Sequence, residues 1–120
     1  MFLGLRTVIY NPGDLDKAKA WYREVLGIDP YFDEPFYVGF EVGGYELGLN
    51  PNAAPPSADA GVDAYWGVAD IEQAYKRLIE LGAKPHSLIE DVGGDIKVAS
   101  VIDPFGNRVG IIQNPHFKAK

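Results

Sequence analysis

The sequence contains the same helical pattern twice. Asp14 opens one amphipathic segment that stops before Gly27, and Asp70 opens another that stops before Gly82. The two aspartates are 56 positions apart and the two glycines 55, in a chain of 120 residues. A repeat with such a long period indicates a duplicated supersecondary unit, and two copies can enclose a cavity. The repeat therefore predicts two similar modules with a ligand site between them.

Each module is predicted to contain one strand, one helix and three further strands. In both copies an aspartate at the N-cap and a glycine after the last turn mark the ends of the helix. We therefore expect a single α+β domain of two βαβββ modules, residues 1–50 and 62–113. A Pro- and Ala-rich linker is predicted at 51–61. Because one helix covers only one face of a sheet, we expect curved, mostly antiparallel sheets around a cleft, with the helices on the outer faces.

Gly43-Gly44 is a strong signal for a two-residue hairpin turn. A turn there places Glu41 opposite Glu46 and gives the hairpin one apolar and one polar face. The apolar face, expected to pack on a helix, comprises Val38, Phe40, Val42, Tyr45, Leu47 and Leu49. The polar face comprises Gly39, Glu41, Glu46, Gly48 and Asn50. The polar face has little side-chain bulk and is predicted to line the cleft.

Charge and composition exclude several classes of function. The formal net charge is −6, so no basic surface is expected that would bind nucleic acid. The chain has no cysteine, which excludes disulfides and thiolate chemistry. No apolar run is long enough to span a membrane, and Met1–Leu5 is too short for the apolar core of a signal peptide. We therefore expect a cytoplasmic protein with neither nucleic-acid nor membrane partners.

Five segments together resemble the vicinal oxygen chelate superfamily, which includes glyoxalase I, bleomycin-resistance proteins and extradiol dioxygenases. They are Asp14-Leu15, Trp21–Gly27, Glu46-Leu47, Val68–Ile71 and Asp103–Asn107. The resemblance covers essentially the whole chain. It implies the paired-module fold, while the superfamily includes metalloenzymes, drug-sequestering binders and other proteins. Function must therefore be argued from the residues of the site.

The catalytic members of that superfamily hold a divalent metal with His or Gln, Glu, His and Glu from four inward strand positions. The resemblance places these positions at Thr7, Glu46, Asp63 and Gly110. Only Glu46 matches, since a threonine hydroxyl is a poor metal ligand and glycine has no side chain. The resemblance therefore implies that no cofactor is expected. If a divalent metal does bind, Glu46 and Asp63 are the candidate ligands.

Glu46 is the candidate catalytic residue, as a general base. Cβ atoms directly opposite each other on two strands lie about 4.5–5.5 Å apart, so the carboxylates of Glu41 and Glu46 would repel, and one pKa would rise where water is scarce. Such a pair could act as a base, bind a cationic ligand, or hold a hard cation together with Asp63. In the alternative interpretation Glu41 lies next to the turn at the solvated rim and only Glu46 points inward. A further possibility is that Glu46 forms a salt bridge with Arg108 or Arg6.

Strand alternation predicts which other side chains line the cleft. The predicted ligand-binding residues are Thr7, Ile9, Glu41, Glu46, Asp63, Tyr65, Arg108 and Ile112. This mixture of apolar, acidic and aromatic groups suits a small organic molecule. A nearby aromatic cluster, expected to be either a mobile lid or a packing contact, comprises Tyr31, Phe32, Phe36 and Tyr37. His86 and His116 lie outside the ligand positions and are expected to be solvated or locally hydrogen-bonded.

Three functions follow from these observations. The first is a glyoxalase/bleomycin-resistance-like homodimer that binds a small organic molecule without the metal. The second is a divalent-metal-dependent lyase, isomerase or dioxygenase-type enzyme that uses Glu46 and Asp63. The third is a non-catalytic interaction subunit whose inward faces serve only packing. The lost ligands at Thr7 and Gly110 favour the first function over the second.

Overall fold

The computed structural model describes residues 1, 3–56 and 62–117. The chain divides into two compact units, residues 1–56 and 57–120, each described here by itself. Residues 57–61, which belong to the predicted linker, lie outside the described residues. Across the described ranges, no helix has both the length and the apolar character needed to cross a membrane.

The first unit is a four-stranded mixed sheet with a helix on one face. Its elements are β1 Thr7–Tyr10, α1 Leu15–Leu26, β2 Phe32–Glu34, β3 Tyr37–Val42 and β4 Tyr45–Leu49. The strand order is β1-β4-β3-β2, in which β1 runs parallel to β4 and the other neighbours are antiparallel. The Asp14 carboxylate accepts from the Lys17 amide, and Gly27 takes a left-handed φ of 69°. Both ends of α1 therefore lie where the sequence predicts them.

The second unit repeats this topology. Its elements are β5 Tyr65–Gly67, α2 Ile71–Glu80, β6 Lys84–Gly93, β7 Ile96–Ile102 and β8 Arg108–Gln113. The strand order is β5-β8-β7-β6, with β5 parallel to β8. Asp70 caps α2 by accepting from the Gln73 amide. The α+β fold of two βαβββ modules is therefore confirmed.

The β3–β4 hairpin has the predicted register, with Glu41 opposite Glu46 and Gly39 opposite Gly48. Its apolar face forms the core of the unit against α1, where the buried residues are Val38, Phe40, Leu47 and Leu49 from the hairpin and Ala18 and Tyr22 from the helix. Burial of one such leucine or phenylalanine contributes about 1.5–3 kcal/mol. Tyr45 is half-exposed, because it adjoins the turn at the end of the sheet. The opposite face of this sheet carries no helix of the unit.

Strand β2 is the element that the sequence pattern does not locate. Phe32, Asp33 and Glu34 pair with β3, so the aromatic segment forms a hairpin strand and not a free loop. All three residues are exposed, and a short strand of this kind has no apolar alternation to reveal it. Strand β5 is short, since only Tyr65–Gly67 pairs with β8.

Candidate functional site

The helix-free face of the first sheet carries a carboxylate surrounded by hydroxyl groups. Thr7 Oγ1 donates to Glu46 Oε1 at 3.0 Å, and the Tyr37 hydroxyl donates to the same oxygen at 2.9 Å. The Tyr31 hydroxyl donates to Oε2 in a short hydrogen bond. These four residues, Thr7, Tyr31, Tyr37 and Glu46, are called the Glu46 cluster below. All four belong to the first unit.

A pair of glycines makes room for the cluster. Gly39 and Gly48 face each other across the hairpin. A Cβ atom on Gly39 would lie 2.7 Å from Glu46 Oε2 and 3.1 Å from the Tyr31 ring. A Cβ on Gly48 would overlap the Tyr37 hydroxyl. Both tyrosines therefore lie directly over bare backbone, which fixes their hydroxyls beside the carboxylate.

Strand pairing brings the remaining groups to the same place. Thr7 lies opposite Glu46 in the parallel β1–β4 ladder. Tyr37 begins β3, and the Tyr31 amide donates to the Gly39 carbonyl at 2.9 Å, which extends the β2–β3 pairing to Tyr31. Each side chain of the cluster is thus positioned by backbone hydrogen bonds of the sheet. Such support is what a preorganised binding site requires.

The hydrogen bonds set the charge state of the cluster. Burial alone would raise the pKa of Glu46, but hydrogen bonds from Tyr31, Tyr37 and Thr7 outweigh it and lower that pKa. The hydrogen bond to Glu46 raises the pKa of Tyr31, and burial followed by the same kind of bond raises the pKa of Tyr37. At neutral pH the cluster is therefore one carboxylate anion held by three neutral hydroxyls.

One acceptor position of Glu46 remains open. A carboxylate has about four lone-pair sites. Oε1 accepts from Thr7 and Tyr37, whereas Oε2 accepts from Tyr31 alone. The Glu46 residue as a whole is only partly buried. The site can thus accept one hydrogen bond from a ligand while its own geometry stays fixed.

Glu41 does not join the cluster although it lies opposite Glu46. Its Oε1 accepts from the Gly44 amide at 2.7 Å and so stabilises the turn. The predicted rise in pKa is not found at Glu46, because hydroxyl donors and not a second carboxylate surround it. The Arg6 guanidinium donates to the Leu5 carbonyl, and Arg6 contacts Glu46 through its backbone, where the Glu46 amide donates to the Arg6 carbonyl at 2.7 Å. The predicted salt bridge from an arginine is therefore wrong for Arg6.

The other predicted lining residues divide between the two units. Ile9 is 43% exposed and its Cδ1 lies beside Gly48, next to the cluster. Asp63, Tyr65, Arg108 and Ile112 belong to the second unit. Asp63 Oδ1 pairs with Arg108 Nη2 at 2.8 Å, so these two predicted lining residues form an ion pair within the second unit. Ile112 lies opposite Val98 on the helix-free face of that sheet.

In the second unit Tyr65 lies over Gly110, as Tyr37 lies over Gly48 in the first unit. The two residues face each other in the β5–β8 ladder. A Cβ atom on Gly110 would lie 2.8 Å from the Tyr65 ring and 2.5 Å from the Ala64 carbonyl oxygen. The fourth ligand position of the superfamily is therefore filled by neighbouring atoms of this chain, including backbone.

The two tyrosines of the cluster are the functional residues that the sequence reasoning missed. It assigned Tyr31 and Tyr37 to a lid or a packing cluster and did not connect them with Glu46. The opposed glycines Gly39 and Gly48 are the available signal, because glycine inside a strand often marks a place where another group approaches the backbone closely. The predicted contribution of Thr7 and Glu46 to one site agrees with their hydrogen bond.

The donor set of the cluster does not fit the metal site of the catalytic superfamily members. Thr7, Tyr31 and Tyr37 direct hydrogens, not lone pairs, at the carboxylate. Among the residues that the structure describes, no three or more His, Cys, Asp or Glu side chains group together as metal ligands. Tight divalent sites use several imidazole, thiolate or carboxylate ligands. The chemistry of the cluster is therefore hydrogen bonding by a single carboxylate.

Both histidines take part in local hydrogen bonds. His86 Nδ1 lies 2.8 Å from Ser100 Oγ, and His116 Nε2 lies 2.7 Å from the Gly94 carbonyl oxygen. These contacts agree with the expectation of local hydrogen bonding.

Sequence comparison now identifies the family. The model of the Glyoxalase/Bleomycin resistance protein/Dioxygenase superfamily matches residues 4–111, and the chain belongs to that superfamily. The resemblance found in the sequence motifs is thereby confirmed. No curated protein matches the chain with significance.

Solved structures show the same fold. A glyoxalase-related enzyme from Fulvimarina pelagi matches with a TM-score of 0.79 and 17% identity, over 99% of this chain and 94% of that one. A superfamily member from Sphaerobacter thermophilus matches with a TM-score of 0.75 and 20% identity, over 94% and 98%. A lactoylglutathione lyase from Agrobacterium tumefaciens matches with a TM-score of 0.73 and 20% identity, over 98% and 100%. At this level of identity the similarity extends to the fold alone.

Proposed function

We propose that this protein binds a small organic molecule at the Glu46 cluster and does so without the divalent metal of its superfamily. The observation that carries the proposal is the set of three hydroxyl donors on the two carboxylate oxygens. These donors stabilise the negative charge that a metal ion would otherwise balance. The open position on Oε2 supports a direct hydrogen bond to a ligand.

Binding is better supported than general-base catalysis. A base takes a proton through a free lone pair placed against the substrate. Oε2 keeps one open position, but the hydroxyl donors on both oxygens stabilise the ionised form of Glu46 and so lower its affinity for a proton. The same bonds make Glu46 a rigid acceptor, which suits recognition. The metal-dependent alternative is less supported, because Asp63 is engaged with Arg108 in the second unit.

A ligand screen tests the binding proposal. Wild type and Glu46→Gln are compared in thermal denaturation against a panel of small organic molecules. We expect at least one compound that raises the melting temperature of wild type and leaves Glu46→Gln unchanged. Glu80→Gln is the matched control, since Glu80 is an exposed glutamate on α2, and it should respond as wild type does. If no compound distinguishes wild type from Glu46→Gln, binding at the cluster is refuted.

Metal analysis tests the second part of the proposal, that binding does not require a divalent metal. We expect no stoichiometric Mn, Ni, Zn or Fe in the purified chain, and no shift in melting temperature on adding these ions that depends on Glu46. A bound metal at one equivalent that is lost in Glu46→Gln would show instead that the metal-dependent function is correct.

A further inference from the structure

We propose that the molecule bound at the Glu46 cluster is an organic cation with an ammonium-like head and an aromatic or apolar body. This inference rests on the proposed function and names its ligand class. It depends on three properties of the helix-free face of the first sheet: its charge, its exposed aromatic rings and its single open acceptor.

The charged side chains that the four strands place on this face are all acidic. Residues directly opposite each other share a face, so pairing with Glu46 and Tyr37 places Glu41 and Glu34 on the same side as the cluster. None of the four strands contains lysine or arginine. A negatively charged ligand would be repelled here, whereas a cation would be attracted.

The basic residues of the first unit are engaged elsewhere. Lys19 pairs with Asp33 at 3.1 Å and Arg23 with Asp29 at 2.7 Å, both on the side of α1. Lys17 belongs to the first turns of the same helix. Arg6 folds back on the Leu5 carbonyl. Within this unit the charge of Glu46 is therefore balanced only by hydroxyl dipoles, and a cationic ligand would supply the missing positive charge.

Exposed aromatic rings border the carboxylate. Tyr31 and Phe36 are each 63% exposed. Phe32 lies on the same face, opposite Gly39, and its ring centroid is 6.0 Å from those of Phe36 and Tyr37. Aromatic faces attract ammonium groups within about 6 Å of the ring centroid, and they also bind the apolar body of a ligand. A carboxylate acceptor beside such rings is the combination that recognises an organic ammonium.

The open position on Glu46 fits such a head group better than it fits a metal or a neutral molecule. An ammonium N–H needs one acceptor lone pair, and Oε2 provides one. A metal ion needs several, which the hydroxyl donors do not offer. A neutral hydroxyl can make the same hydrogen bond, but a charge-assisted bond is roughly twice as strong. We therefore expect the cation to bind roughly tenfold more tightly than a neutral molecule of the same shape.

Three probes of matched shape test this inference on the full chain. They are 2-phenylethylamine, 2-phenylethanol and 3-phenylpropanoate, each titrated by calorimetry or NMR at neutral pH and low salt. We expect the amine to bind roughly tenfold more tightly than the alcohol, and the carboxylate to bind most weakly. Added salt should weaken the amine alone. The preference should disappear in Glu46→Gln and persist in the control Glu80→Gln.

The outcomes separate this inference from the function on which it rests. If the alcohol or the carboxylate binds as tightly as the amine, and that binding still needs Glu46, the cation proposal fails while binding at the cluster stands. If none of the three probes binds wild type, the cation proposal is also overturned. The comparison of the probes on wild type does not require any variant to fold.

Discussion

Glu46 is a carboxylate whose charge is stabilised by the hydroxyl groups of Thr7, Tyr31 and Tyr37. Three donors from three separate segments of chain converge on it. Backbone pairing already holds Thr7, Tyr31 and Tyr37 in place. Little further conformational entropy is therefore lost when their hydroxyls bind the carboxylate. A carboxylate at the position that the resemblance assigns to a metal ligand is therefore held here by hydroxyl partners.

Removal of one hydroxyl should weaken both the cluster and the fold. Tyr37→Phe leaves Oε1 with Thr7 as its only donor, and a hydrogen bond to a charged group contributes about 1.5–3 kcal/mol. We expect the free energy of unfolding in urea to fall by about 1–2 kcal/mol. Tyr45→Phe is the matched control, because the structure shows no hydrogen bond from the half-exposed Tyr45 to any described residue. Equal losses in the two variants would contradict the account.

The pKa shifts predict how the contribution of the cluster depends on pH. Glu46 has a lowered pKa, so its contribution is present above the usual value of 4.5 and is lost as pH falls through the lower folded value. Tyr31 and Tyr37 have raised pKa values, so their contribution is present below 10.0 and is lost as pH rises beyond it. The difference in unfolding free energy between wild type and Glu46→Gln should therefore be level from pH 4.5 to 10.0. A difference that keeps growing in acid below that window would contradict these shifts.

Strand and helix boundaries show how far local sequence determines this structure. The helix α1 and the β3–β4 hairpin follow the sequence prediction, because an N-cap, a C-terminal glycine and a Gly-Gly turn act within a few residues. Strand β2 does not follow it, since three exposed residues owe their conformation to pairing with β3. The tyrosine partners of Glu46 were missed for a related reason. Their positions depend on the space over Gly39 and Gly48 on two neighbouring strands. A local sequence pattern does not reveal that space.

The opposed glycines should be essential to the site and dispensable for the fold. Gly48→Ala adds a methyl group where the Tyr37 hydroxyl lies, and the tyrosine can rotate away at its free end. We expect the ligand-induced rise in melting temperature to disappear, while the free energy of unfolding falls by about 1–3 kcal/mol, because the Tyr37–Glu46 hydrogen bond is lost as well. Gly67→Ala is the control, because an added Cβ there meets no atom within 4 Å. Retention of full ligand binding by Gly48→Ala would contradict the positioning role of this glycine.

The second unit should not accept the missing metal ligand. Gly110→Glu restores the superfamily residue, but its Cβ would lie 2.5 Å from the Ala64 carbonyl oxygen, which backbone pairing holds in place. We expect a lower melting temperature and no gain of divalent-metal binding, measured by calorimetry. Gly67→Glu, with open space at its Cβ, should lose less stability. If the single change Gly110→Glu creates a tight metal site, position 110 can still hold a metal ligand and this prediction is contradicted.

Across the whole molecule, the two units share one topology but carry different polar side chains. Both units place their first strand parallel to their last, and both seat a tyrosine over a glycine. One unit carries an anion held by hydroxyls, whereas the other carries the Asp63–Arg108 ion pair. The repeat therefore predicts the architecture, and only the individual residues predict the function.

The homodimer stays a prediction of the sequence. Its direct test is the molar mass of the purified chain by light scattering during size-exclusion chromatography. We expect twice the mass of one chain, which is 13.1 kDa. A single-chain mass at working concentration would contradict the prediction and leave the Glu46 cluster unaffected, because all four of its residues belong to one unit.

The central claim is that the Glu46 cluster binds its ligand without a metal ion. Its most direct test is the ligand-induced shift in melting temperature, measured on wild type and Glu46→Gln after dialysis against a chelator. The account predicts the full shift in metal-free wild type and none in Glu46→Gln. A shift in wild type that returns only when a divalent metal is added, or an equal shift in Glu46→Gln, would contradict it.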